Sequence, residues 1–222
     1  MIERVRDADT GTVEARKKII WHSRTLWNSE ESFGFSCEQL ETSHDDLIDL
    51  LHRFQTAEVI ADDELPKVMW CSKAEDDRKS RLPHLFMASG FLVASQEMKQ
   101  LLEGFDLGAS RFVPVQLLHT DKVTSWPGTY YFLYMPDRIA VFDPENSQNY
   151  RPNKYDDESH LGSMPHRVGD DDIAVCADAL TGQDMWQDSS LLWSLFFTDV
   201  ALEAIRKAGL LGPMQVARCR VV

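Results

Sequence analysis

The chain lacks the sequence features of membrane and secreted proteins. No apolar run within its 222 residues approaches the roughly 20 residues needed to span a bilayer. The first 18 residues are charged and have no apolar core, so they do not predict a secretory signal. We therefore expect a cytoplasmic protein that has no membrane partner.

Cysteine is scarce and widely scattered. The four cysteines are Cys37, Cys71, Cys176 and Cys219, and none of them forms a CxxC pair. This spacing is typical of buried free thiols in a reducing compartment and not of a disulfide framework. It also argues against a structural zinc site, which usually needs closely spaced cysteines or histidines.

Basic residues are in short supply. The chain has 36 acidic and 23 basic residues, which give a net charge of −13. Binding to nucleic acid without sequence preference needs Lys and Arg to neutralise phosphates, so we expect no nucleic-acid partner. The charge suits a protein that attracts a basic partner, although solubility alone would also account for it.

Catalytic motifs are also missing. The sequence contains no GxSxG, P-loop, GxGxxG or HExxH pattern. His44 and His52 would lie about 12 Å apart along a helix, which is too far to bind one metal ion. Asp143 and Glu145 follow a strand-like run, but an Asp-Pro pair is more typical of a turn. We expect no catalytic residues, no metal and no cofactor, and hence a protein that is not an enzyme.

The apolar pattern that is present predicts a mixed α+β fold. Ser43 is a suitable N-cap for a helix whose apolar positions run from Leu47 to Phe54, Ile48 and Leu51 included. Short apolar runs such as RFVPVQLL, TYYFLYM and RIAVFD predict strands, and the short link between the last two predicts a hairpin. We expect one α+β domain over residues 1–222, with helices packed on a largely antiparallel mixed sheet. Residues 1–80 are a candidate variable N-terminal subregion.

One pattern occurs twice at a spacing of 103 residues. Each copy has an extended segment, a capped helix, a turn and a strand, which predicts two similar units of a helix packed on a sheet. The matched pairs are Ser95 with Thr198, Leu102 with Ile205, Leu107 with Leu210 and Val113 with Val216. Two unrelated capped helices that each precede a strand would give the same pattern, so this alternative stays open.

The second copy also resembles a known family. The segment WQDSSLLWSLFFTDVALEAIRKAGLLGPMQVARCRV is similar to the C-terminal signature of a bacterial immunity-protein family of polymorphic toxin systems, first catalogued as a domain of unknown function. The resemblance extends over about residues 85–222 and leaves the first 80 residues unplaced. The matching residues are Trp186, Phe197, Thr198, Asp199, Leu202, Ala208, Gly209, Leu210, Gly212, Arg218 and Cys219. It implies a protein that binds and neutralises a cognate toxin by occlusion, without a cofactor.

The expected contact with such a toxin is the acidic loop 156–172, at the end of the polar segment 143–171, because long loops in compact domains are often functional. An acidic surface there would meet a basic region of the toxin. Trp126, in a turn beside Pro127, is a second candidate if its ring is exposed. The candidate contact residues are Trp126, Asp156, Asp157, Glu158, Asp170, Asp171 and Asp172.

Two other functions remain open. The acids of this loop, with His160 and His166, could serve a metal-dependent hydrolase, although their spacing fits no EF-hand. The two repeated units could instead frame a cleft that binds a small ligand.

Overall fold

The structure is a computed structural model that describes residues 19–23, 25, 32–151, 168–191 and 194–222. Within these ranges the chain forms three sheets and five α-helices, which confirms the α+β class. In chain order the elements are β1 (Ile20–Ser23), β2 (Ser32–Phe33), β3 (Phe35–Ser36), α1 (Glu38–Thr42), α2 (His44–Thr56), β4 (Val68–Cys71), α3 (Ala74–Asp77), β5 (Leu85–Ala88), β6 (Phe91–Ser95), α4 (Gln96–Leu102), β7 (Arg111–Leu118), β8 (Tyr130–Tyr134), β9 (Arg138–Ile139), β10 (Phe142–Asp143), β11 (Ala174–Val175), a 3-10 helix (Ala177–Leu180), β12 (Met185–Asp188), β13 (Leu195–Thr198), α5 (Asp199–Lys207), β14 (Val216–Arg218) and β15 (Arg220–Val221).

The largest sheet has seven strands in the order β2-β5-β6-β8-β7-β4-β3. Helix α2 packs on one face, where the ring of Phe54 lies 5.1 Å from that of Phe91. Helix α4 packs on the other face, where the Lys99 ammonium lies 5.3 Å from the centre of the Tyr131 ring. Both faces are therefore covered, which explains why every residue of β5 and β6 is buried.

The second sheet has the order β14-β1-β13-β12-β9, and the third is the small sheet β10-β11-β15. Strand β1 lies inside the second sheet, because it pairs with both β13 and β14. Ile20 of β1 is fully buried, in a cluster that also contains Val175 of the small sheet and Phe196 of β13. The N-terminal part of the chain thus supplies a central strand.

The two repeated units share one topology. Strands β6 and β7 are both antiparallel to β8, which lies between them, and helix α4 connects them. Strands β13 and β14 are likewise both antiparallel to β1, which lies between them, and helix α5 connects them. The side chains of Ser95 and Thr198 cap the two helices, as predicted, by accepting hydrogen bonds from Met98 N and Ala201 N. The repeat is therefore a split β-α-β arrangement that borrows its middle strand from another part of the chain.

The final strands of the two units differ by one residue from the ungapped alignment. Phe132 and His22 occupy equivalent positions in the inserted strands, and they pair with Val113 and Ala217 respectively. Val113 and Ala217 are both buried, whereas Val216 is only partly buried. The structural equivalent of Val113 is thus Ala217, because one extra residue precedes the strand of the second unit.

Three predictions of local structure were wrong. Strands β8 and β9 do not form a hairpin, because both edges of β8 are already occupied by β6 and β7, and β9 pairs with β12. The charge run SKAEDDRKSR, residues 72–81, predicts a solvated loop, but the segment contains α3, and its buried Asp76 accepts a hydrogen bond from Gly34 N. The segment ALTGQDMWQDSS, residues 179–190, predicts a turn but contains strand β12.

Candidate partner-binding surface

The described acids of the predicted contact loop are held by the fold itself. Asp171 forms a two-point ion pair with Arg218, at 2.5 Å and 3.1 Å, and this hydrogen bonding lowers the pKa of the Asp171 carboxyl. Asp170 accepts a hydrogen bond from Arg218 N, and Asp172 accepts one from Gly169 N. Asp170 and Asp171 therefore fasten the turn to strand β14, and Asp172 closes the turn itself. Asp156, Asp157 and Glu158 lie outside the described residues.

Trp126 is not exposed, although the sequence made it a candidate contact on the condition that its ring is exposed. Only 3% of its surface is accessible, and its ring stacks on His119 with the ring centres 4.2 Å apart. Its Nε1–H has no hydrogen-bond acceptor among the described residues. Asp77 accepts a hydrogen bond at 2.8 Å from the His119 ring, which fixes the orientation of the stack. The contact of Trp126 with a partner stays a prediction.

Trp126 nevertheless lines a surface groove, with a cavity volume of about 760 Å³. One wall is strand β7 from Val113 to Leu117, and the others are the turn 125–130 and the segment 62–67. Strand β4 pairs with β7 only from Gln116 onward, so the edge of β7 at Pro114 has no strand partner. Pro114 has no N–H to donate, so this edge can lack a strand partner without leaving a backbone donor unpaired at that residue. A proline within a strand predicts such an edge position.

Two ion pairs hold the segment 57–67 that borders this groove. Arg53 of α2 forms a two-point ion pair with Glu64, which also accepts a hydrogen bond from Ala61 N, and the pKa of Glu64 is lowered by these contacts. Arg111 of β7 contacts Asp62 at 2.6 Å and donates a hydrogen bond to the carbonyl oxygen of Ile60. The segment is thus tied to both α2 and β7.

The same segment belongs to an acidic stretch of the sequence that also contains α1 and α2. Residues 37–66 contain nine acidic residues and one arginine, a net charge of −8 out of the −13 of the whole chain. All nine acids are exposed. We call this surface the acidic face; its acids are Glu38, Glu41, Asp45, Asp46, Asp49, Glu58, Asp62, Asp63 and Glu64.

Sequence reasoning missed the acidic face. The charge of the whole chain, −13, does not show where the acids are concentrated. A count over windows of about 30 residues would have found the segment.

Two large apolar side chains are exposed on the same elements. Ile48 of α2 is 51% exposed, and Val59 in the following loop is 90% exposed. The sequence places Ile48 on the apolar side of its helix, but only Leu47, Leu50 and Phe54 are fully buried. Ile48 lies instead on the exposed stripe with Asp45, Asp49 and His52. Apolar side chains within a charged surface are a feature of protein-binding sites.

The described part of the chain offers no candidate metal centre, since no group of three or more His, Cys, Asp or Glu side chains is placed to hold an ion there. His160 and His166 lie outside that part, so the metal hypothesis for the long loop remains untested. The four cysteines are free thiols, and burial raises the pKa of Cys219.

One comparison with known proteins gives a match over almost the whole chain. None of the described helices is long and apolar enough to cross a membrane. No curated protein matches the sequence. A family model described as Immunity protein family (Imm11) matches residues 22–214, so the match begins far closer to the N-terminus than residue 85. The chain therefore belongs to the Imm11 immunity protein family.

Proposed function

We propose that the protein binds a cognate bacterial toxin and neutralises it by covering its active region. The observation that carries the proposal is the immunity-family match over residues 22–214. The net charge of −13 and the absence of catalytic sequence motifs support a binding role. The toxin is expected to present a basic surface, and the protein needs no cofactor to act as a stoichiometric inhibitor.

Charge and apolar contacts would have separate roles in this mechanism. Long-range attraction between opposite charges mainly raises the rate of association. Buried apolar contacts at the centre of an interface mainly slow dissociation. Asp156, Asp157, Glu158, Asp170, Asp171, Asp172 and Trp126 remain the contacts proposed from the sequence.

The test uses the protein encoded immediately upstream as the partner. Expression of that protein alone should arrest growth, and co-expression of the immunity protein should restore it. The purified pair should form a complex of defined stoichiometry in size-exclusion chromatography. Failure to bind together with failure to restore growth would end the proposal.

Titration of the inhibitor separates occlusion from catalysis. A stoichiometric inhibitor protects only when it is at least equimolar with the toxin. Protection that persists at about one inhibitor per hundred toxin molecules would indicate turnover and would contradict the assignment as a non-enzyme.

A further inference from the structure

We propose that the toxin binds across the acidic face and inserts an apolar segment into the groove beside Trp126. This inference rests on the proposed function and assigns its interface. The occupant is a toxin segment that carries Lys or Arg side chains next to an apolar anchor.

The acidic face contains carboxylates that do not stabilise the fold through a hydrogen bond or ion pair with the described residues. Five of its carboxylates form no hydrogen bond or ion pair with the described residues: Glu38, Asp45, Asp46, Asp49 and Asp63. Asp170, Asp171 and Asp172 are instead engaged by Arg218 and Gly169. Unpaired like charges on one surface repel each other, and a basic partner would relieve that repulsion.

The groove lies where the acidic face ends. Asp62 and Asp63 lie on its rim, and Arg111 and Lys67 bring two positive charges beside them, so the groove itself is close to neutral. Its wall offers Pro114 and the ring of Trp126, which together favour an apolar side chain. Trp126 Nε1–H is buried and has no acceptor among the described residues, and a buried donor without an acceptor is unfavourable. A shift of the ring that exposes this N–H would let a carbonyl or carboxylate oxygen of the inserted segment accept a hydrogen bond from it.

The first experiment neutralises charge without changing shape. The triple variant Asp45→Asn, Asp46→Asn, Asp49→Asn removes three exposed acids from α2. The matched control Glu75→Gln, Glu145→Gln, Asp178→Asn removes three exposed acids from other surfaces. The probe is the protein encoded immediately upstream, with association and dissociation rates measured by biolayer interferometry at two salt concentrations.

The α2 variant should associate about five- to tenfold more slowly at low salt and show a weaker salt dependence. Its dissociation rate should change less than about twofold. The control variant should match wild type, because its three substituted acids lie outside the acidic face. The two variants have the same net charge and differ only in where the charge was removed. Equal slowing in both variants would show that only net charge matters and would overturn the placement.

The second experiment fills the groove. Thr129 lies on the groove wall with an exposed side chain, so Thr129→Trp should occupy the space of the inserted segment. Dissociation should become about tenfold faster or more, whereas Thr129→Ser should behave as wild type. A thermal melt of each free variant verifies that the fold is retained.

The two proposals fail in different ways. If the wild-type protein does not bind the upstream protein at all, the proposed function fails. If wild type binds and both the α2 variant and Thr129→Trp bind equally well, the function stands and this interface is wrong.

Discussion

At the scale of single residues, Asp188 shows how the fold accommodates a fully buried carboxylate. Its Oδ2 accepts hydrogen bonds from Val141 N and Phe142 N, at 2.9 Å and 2.8 Å. Its Oδ1 accepts from Ser190 N and Ser190 Oγ, at 2.8 Å and 2.6 Å. Four donors replace the water that the carboxylate loses, and they join the end of β12 to the segment that leads into the small sheet.

Asp188→Ala should lower the free energy of unfolding by about 3 kcal/mol, because it leaves these donors buried without an acceptor. Urea denaturation followed by circular dichroism measures this change. Asp178→Ala is the control, since its exposed side chain predicts a change within about 0.5 kcal/mol. A loss below about 1 kcal/mol for Asp188→Ala would mean that water satisfies the donors.

At the scale of elements, helices α4 and α5 begin alike and end differently. Helix α5 ends in a Schellman motif, in which Gly209 N donates to Arg206 O and Leu210 N donates to Ile205 O. Gly209 has φ +72, as its sequence position after the helix predicts. Helix α4 ends without a residue of positive φ at this position, and the turn that follows is held by Asp106, which accepts from Gly108 N.

Gly209→Ala should therefore destabilise the protein by about 1 kcal/mol through backbone strain alone, since nothing lies within 4 Å of the added Cβ. Gly182→Ala should instead raise the free energy of unfolding by about 0.5 kcal/mol. Gly182 does not have a positive φ, and the added Cβ would make only ordinary contacts. Chemical denaturation of the two variants compares them directly. Equal effects would show that φ at Gly209 does not limit stability.

The turn 121–124, in the loop between β7 and β8, is held by the carboxylate of Asp121. Asp121 accepts from Thr124 Oγ1, Val123 N and Thr124 N, and these bonds lower its pKa to about 2. A folded pKa below the unfolded value of 3.8 means that the contribution is present above that value and is lost as pH falls toward about 2.

Amide hydrogen exchange at Val123 and Thr124 measures this contribution. Protection of both amides should drop between about pH 4 and pH 2, beyond the ordinary pH dependence of exchange. In Asp121→Asn the corrected protection should not change over this interval. A wild-type loop that keeps its protection at about pH 2 would contradict the assignment.

At the scale of the molecule, the N-terminal segment completes a sheet that the C-terminal half cannot close alone. Without β1, strands β13 and β14 would each lose the partner that lies between them. The corresponding strand of the first unit, β8, comes from the middle of the chain. The first 80 residues are thus partly structural, whatever their variability in sequence.

Ile20→Ala should cost about 3 kcal/mol, because it opens a cavity at a fully buried position of β1. Val200→Ala, on the partly exposed side of α5, should cost less than about 1 kcal/mol. Thermal unfolding reports both changes. Similar small losses in the two variants would indicate that β1 is peripheral to the stability of the sheet.

The sequence by itself determined the features that depend on near neighbours along the chain. The caps at Ser95 and Thr198, the helix from His44 to Thr56 and the strand from Arg111 to Leu118 follow from residue chemistry within a few positions, so they could be predicted. The family resemblance was also visible in the C-terminal signature.

Only the tertiary structure decided which strands pair, because pairing depends on which edges remain free after distant segments have docked. For this reason β9 pairs with β12 and not with β8, and β1 pairs with β13 and β14 in the second sheet. It also applies to the register of the last strand, in which Ala217 and not Val216 is equivalent to Val113. The same reason applies to the candidate site. The burial of Trp126 and the position of its groove beside Asp62 and Asp63 arise from contacts between segments more than 40 residues apart.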